Sequence, residues 1–90
     1  MRDVLSSLID DTSRQMKLLA AAIHEKNAEN CRRLAHYSKG ACANLGANAA
    51  AEALHQIEQQ AAHADFQECR AALERLAREL ERLRFAVTAL

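Results

Sequence analysis

"FQECRAALERLARELERLRFAV", residues 66–87, carries apolar side chains at Phe66, Cys69, Leu73, Leu76, Leu80, Leu83 and Val87. Steps alternating between three and four residues keep one face of an α-helix apolar, a seam about 30 Å long for about 22 helical residues. So long an apolar stripe needs partners, and the rest of the chain has to supply them. Asp65, with Glu68 three positions on, resembles a capping box at the start of this helix.

Upstream, Leu5, Ile9, Thr12, Met16, Leu19 and Ile23 fall on one helical stripe, with Val4, Leu8 and Leu18 forming a second, outward-leaning row. The polar run "HEKNAEN" breaks the pattern, and Asn27 suits the N-cap of a second helix. The buried stripe of that helix reads Cys31, Leu34, Ser38, Cys42 and Leu45, with Gly46 where a helix-ending glycine belongs. Asn48 is placed to cap a third helix, whose inward residues are Leu54, Ile57 and Ala61. These patterns predict an all-α, antiparallel up-down four-helix bundle in a single domain over residues 1–90, with helices at about 3–24, 28–44, 48–62 and 66–87. An oligomeric coiled coil built on the last helix competes with it, but the breaks at Asn27 and Gly46 oppose one continuous rod.

Composition points the same way. Alanine is about a fifth of the chain, proline is absent and glycine occurs 2 times, which favours helix over strand. The 12 basic residues balance 12 acidic ones, so neither nucleic acid nor a membrane surface is expected as a partner. Cys31, Cys42 and Cys69 form no CxxC pair and leave one thiol over, the pattern of ordinary buried thiols in a reducing, cytoplasmic setting. "MRDVLSSLIDD" lacks the apolar run of a secretion signal or a membrane span.

One stretch, "AHYSKGACANLG" from Ala35 to Gly46, places a costly helical glycine beside a histidine and a lysine. On the helical wheel His36 lies about 160° from both Leu34 and Ser38, so it points away from the core. Glu29, Arg32, Arg33, Lys39, Gly40 and Ala43 fall within about 60° of it, one and two turns away. An exposed imidazole is a competent nucleophile near neutral pH, and cations beside it suit an added anion. Small residues one turn along leave room for a bulky partner.

These residues resemble the signature of histidine phosphotransfer (HPt) domains: a histidine, a lysine three on, a glycine four on, then small residues and a second glycine, here His36, Lys39, Gly40, Ala41, Ala43, Asn44, Leu45 and Gly46. The resemblance extends to "NAENCRRLA", "ALHQIE" and the leucine-rich final helix. It implies a phosphorelay intermediate that accepts a phosphoryl group from a receiver-domain aspartate and passes it to another. Its partners would be response-regulator receivers and an upstream histidine kinase or hybrid-kinase receiver. No ATP site and no cofactor of its own are implied, since the magnesium and the aspartate belong to the receiver. His36 would be the phosphoacceptor, Lys39 would offset phosphate charge and Gly40 would give steric access. Glu58 falls where the family often orients the histidine. Val4 and Leu8 would contribute to an apolar docking patch, Arg32 and Arg33 would steer the receiver, and Tyr37 and Ala43 would rim the docking surface. The protein is expected to act as a monomer.

Ser38 departs from the family pattern, which has leucine there; a serine can bond the carbonyl four residues back. Tyr37 likewise replaces a small or aliphatic residue. Two other readings remain at this stage. One is a non-catalytic helical dimerisation or scaffold module. The other is a metal-binding bundle around the ExxH of Glu52 and His55, although di-iron carboxylate sites need two such motifs.

Overall fold

Turn chemistry decides where each helix stops. The structure, a computed structural model, describes residues 2–89 as α1 (Arg2–His24), α2 (Ala28–Asn44), α3 (Asn48–Ala62) and α4 (Phe66–Ala89). Each connection has one residue in the left-handed region, Lys26 at φ 57, Gly46 at φ 79 and Ala64 at φ 54. In each, the amides of that residue and the next turn back onto the closing helix: Lys26 to Ile23 and Asn27 to Ala22, Gly46 to Ala43 and Ala47 to Cys42, Ala64 to Ala61 and Asp65 to Gln60. This is the Schellman arrangement, which satisfies carbonyls that the helix leaves open. Glycine takes the left-handed conformation freely at Gly46, whereas Lys26 and Ala64 each pay roughly 1–2 kcal/mol for it.

The helix starts differ in quality. Asn27 Oδ1 accepts from the Asn30 amide at 3.1 Å, and Asp65 Oδ1 accepts from the Glu68 amide at 3.2 Å. Only that half of the expected capping box forms, because the Asp65 amide is spent on Gln60. At α3 the sequence reading is corrected. Ala47 occupies the N-cap with no side-chain bond, and Asn48 is already helical, because the tight turn at Gly46 starts the helix one residue early.

The helices form a square in which α2 packs on α1 and α3, while α4 packs on α3 and closes back on α1. The result is a rod 39 × 19 × 18 Å, its long axis close to the ~36 Å expected for the 24 residues of α4. Cys69, Leu76, Leu80 and Val87 of the α4 seam are buried within this one chain, which uses up the surface an oligomeric coiled coil would need. No helix among the described residues is long and apolar enough to cross a membrane.

Two core assignments shift. On α2 the interior positions are Cys31, Ala35, Ser38 and Cys42, and Leu34 and Leu45 move to half-buried flanks. No side chain larger than cysteine therefore lies on the inner face of α2, which lets its backbone lie close to its neighbours. On α1 the core takes Leu8, only 6% exposed, beside Ile9 and Thr12. Leu8 is thus removed from the proposed docking patch, because the square bundle needs a wider apolar stripe than two helices would. Val4 and Leu18 stay exposed.

Polar and soft groups line the centre. Thr12 Oγ1 lies 3.9 Å from Cys42 Sγ, and Cys69 Sγ donates to the Ile57 carbonyl at 3.7 Å. Burial, with Cys31 and Asp65 adding to it, pushes the Cys69 thiol up to about 11; burial also raises Cys31 and Cys42. All three are free, buried thiols held in the unreactive protonated form. Ser38 Oγ is buried without any hydrogen-bond partner, so the back-bond to the helix carbonyl that the sequence suggested does not form.

Two outcomes follow from this core. Ser38→Ala removes an orphaned hydroxyl and improves helix propensity, and it should raise stability by about 1 kcal/mol in chemical denaturation. The three cysteines should react slowly with a thiol reagent such as DTNB in the folded protein and completely once it is unfolded.

Candidate functional site

Ala35 and Ser38 anchor the inner face of α2, and the helical rotation then places His36 outside. Lys39 follows buried Ser38 on the flank toward α3, and Tyr37 precedes it on the flank toward α1. From α3, Glu58 completes the cluster. Its Oε2 lies 2.9 Å from His36 Nδ1 and its Oε1 2.7 Å from Lys39 Nζ. One carboxylate thus serves two side chains a turn apart on the neighbouring helix.

The surroundings of these groups are unequal. The His36 side chain is 71% exposed, while Glu58 is 25% and Lys39 28% exposed. Burial alone would push the Glu58 carboxyl up, but the bonds from Lys39 and then His36 outweigh it and hold it below the usual carboxylate range. Glu58 is therefore ionised at neutral pH. The stability it adds is present above the ordinary carboxylate pKa and is lost as pH falls through its own lowered value.

An ionised Glu58 accepts from Nδ1–H, which selects the tautomer of the neutral imidazole in which Nε2 carries the lone pair. The two ring nitrogens point to opposite sides of the ring, so Nε2 is turned away from α3. The ring borders a groove of about 510 Å³ lined by Glu29, Arg32, Arg33, His36, Tyr37 and Glu58. Next to it a Cβ built on Gly40 would meet nothing within 4 Å, so no packing within the bundle requires glycine there. Ala43, a further turn along, is exposed and small.

The apolar surface beside the histidine is not the one expected. Thr12 against Cys42 sets the register of the antiparallel α1–α2 pair, which brings residue 18 level with residue 36. Ser13, just after buried Thr12, faces Arg84 of α4 at 3.4 Å, and Leu18, just before buried Leu19, lies on the opposite flank, toward α2. Leu18, 52% exposed, and Tyr37, 58% exposed, therefore stand on facing flanks beside His36. Val4 lies 14 positions earlier on α1, about 21 Å away along the helix, and is outside this cluster. Leu18 was visible in the sequence as an outward apolar residue; only the inter-helix register singles it out.

Among the described residues no three His, Cys, Asp or Glu side chains gather as metal ligands. Glu52 and His55 share a face of α3, without further ligands around them.

A search among curated proteins found no match. Among solved structures, the crystal structure of histidine-containing phosphotransfer protein B from Pseudomonas aeruginosa PAO1 superposes with a TM-score of 0.90 at 26% identity, covering 98% of this chain and 76% of that one. The family model described as "Hpt domain" matches residues 3–86. That match begins in the first turn of α1 and runs into the last turn of α4, so it takes in all four helices, with His36 among them. The chain belongs to the Hpt domain family, whose members are histidine phosphotransfer carriers.

Proposed function

We propose that His36 accepts a phosphoryl group from the aspartyl phosphate of one receiver domain and surrenders it to the aspartate of another. The observation that carries this reading is the 2.9 Å contact between Nδ1 and Glu58 on a ring that is 71% exposed, an arrangement that makes Nε2 the nitrogen available to a partner.

The chemistry then follows from the chain's own groups. The lone pair of Nε2 attacks phosphorus, the N–P bond forms, the acyl P–O bond breaks and the partner's aspartate leaves as carboxylate. The ring retains its Nδ1 proton and gains positive charge, which faces the Glu58 carboxylate across the existing hydrogen bond. Donation is the reverse at a second receiver. Magnesium is supplied by the receiver, and no nucleotide site is needed on this chain. Lys39 keeps Glu58 ionised and in place through its 2.7 Å bond.

The receiver docks over α1 and α2, with Leu18 and Tyr37 as apolar contacts and Arg32 and Arg33 attracting an acidic active-site mouth. Gly40 and Ala43 keep the surface low enough for the aspartyl phosphate to reach Nε2. An upstream histidine kinase or hybrid-kinase receiver provides the phosphoryl group. We read the protein as a cytoplasmic monomer; the α4 seam buried within its own bundle supports the monomer, and three free thiols fit a reducing compartment.

Incubation with phosphorylated receivers tests this directly. Wild type should acquire acid-labile, alkali-stable phosphate and His36→Gln none; undiminished transfer to the variant, or no transfer to wild type from several cognate receivers, overturns the reading. Gly40→Gln should keep the fold and gain about 0.5–1 kcal/mol of stability. Its phosphotransfer should nevertheless slow by about 10- to 100-fold, because the added side chain holds the reacting atoms apart. A wild-type transfer rate in Gly40→Gln refutes the steric role.

A further inference from the structure

Three cations surround His36 on its own helix, and their charges are not equally available. Lys39 is bonded to the Glu58 carboxylate at 2.7 Å, and Arg32 to the Glu29 carboxylate at 3.4 Å. Arg33 instead donates to the neutral Asn30 Oδ1 at 3.1 Å in an exposed contact. Among the described residues, Arg33 alone of the three has no carboxylate partner.

Position separates Arg33 from the other two, since Arg32 lies about 40° from His36 on the same side as Lys39. Lys39 lies about 60° from His36 toward α3, the side to which Nδ1 is fixed by Glu58; Arg33 lies about 60° to the other side. Gly40 shares the side of Arg33, at about 40°, and so does Tyr37. Glu58 holds Nδ1 on the other flank, which leaves Nε2 available to this one. Arg33 and His36 both line the open groove, and turning the guanidinium onto a group on Nε2 breaks only a neutral, solvent-exposed bond.

We infer that Arg33, and not Lys39, is the residue that binds the phosphoryl group once it sits on His36 Nε2. The guanidinium offers paired N–H donors to phosphoryl oxygens, a geometry that an ammonium lacks. Lys39 belongs to the opposite, carboxylate side of the ring, where it maintains Glu58. The two cations therefore act on different nitrogens of one imidazole. This assignment rests on His36 being the phosphoacceptor.

Phosphoramidate, a small-molecule phosphoryl donor, loads the histidine without a receiver and so isolates the loaded state from docking. The ³¹P resonance of the phosphohistidine is then titrated with pH. The charged groups facing it are Glu58 and Lys39 from the α3 side and Glu29, Arg32 and Arg33 along α2; α1 presents the uncharged Leu18 at this level. A bound guanidinium favours the phosphoryl dianion, so Arg33→Ala should raise its titration midpoint by about half a unit, a shift screened by solvent. Arg33→Lys should retain most of the wild-type value, and Lys39→Met should move it less than Arg33→Ala does. An unchanged midpoint in Arg33→Ala, or a larger shift in Lys39→Met, overturns the assignment. Labelling that persists undiminished in His36→Gln overturns the acceptor reading itself, and this one with it.

Discussion

The inner face of α2 carries nothing larger than cysteine, and the arrangement of the site depends on that constraint. Cys31, Ala35, Ser38 and Cys42 let α2 settle closely against α3. Close approach is what allows a glutamate on α3 to reach a histidine and a lysine on α2 with one carboxylate. Bulky residues inside α2 would hold the helices apart and leave Glu58 short of its partners. The apolar area that α2 gives up is recovered elsewhere, through Leu19, Leu54, Ile57 and Leu76, each essentially fully buried and contributing about 1.5–3 kcal/mol. Ser38 is the weak point of this face, a hydroxyl with no partner placed directly inside the turn that carries the histidine.

On the outer face of the same helix, charge is distributed by nitrogen. Glu58 and Lys39 lie on the Nδ1 side of His36, while on the helical wheel Gly40 and Arg33, which donates to the neutral Asn30, fall on the other flank. A ring that must form and break a bond to phosphorus needs different surroundings at its two nitrogens. One has to keep its proton against a stable anion, and the other has to remain open to a large partner and tolerate added negative charge. In this bundle two helices divide that task, since α3 supplies the carboxylate and α2 everything else.

Much of this was legible before any coordinates. The three- and four-residue steps in "FQECRAALERLARELERLRFAV" and its upstream counterparts define four amphipathic helices, and Asn27, Gly46 and Asp65 punctuate them as their chemistry requires. His36 had to be outside because Ser38 and its neighbours had to be inside. The misreadings share one cause. Asn48 was expected as a cap, Leu34 as core and Leu8 as surface, each from its place within its own helix. Cap geometry and the width of a buried stripe depend on how the next helix is joined and seated.

Local periodicity is a property of the chain itself, since residues three and four apart share a helix face whatever surrounds them. The sequence alone therefore determined the helix count, the orientation of His36 and the small residues beside it. Contacts between helices depend instead on axial register and on the distance at which side chains interlock. Those are set jointly by residues far apart in sequence, as Thr12 and Cys42 show. Only the tertiary structure decided that Glu58 bridges His36 and Lys39, and so ties up the Lys39 charge, that Leu18 rather than Leu8 stands beside the histidine, and that Ser38 finds no partner.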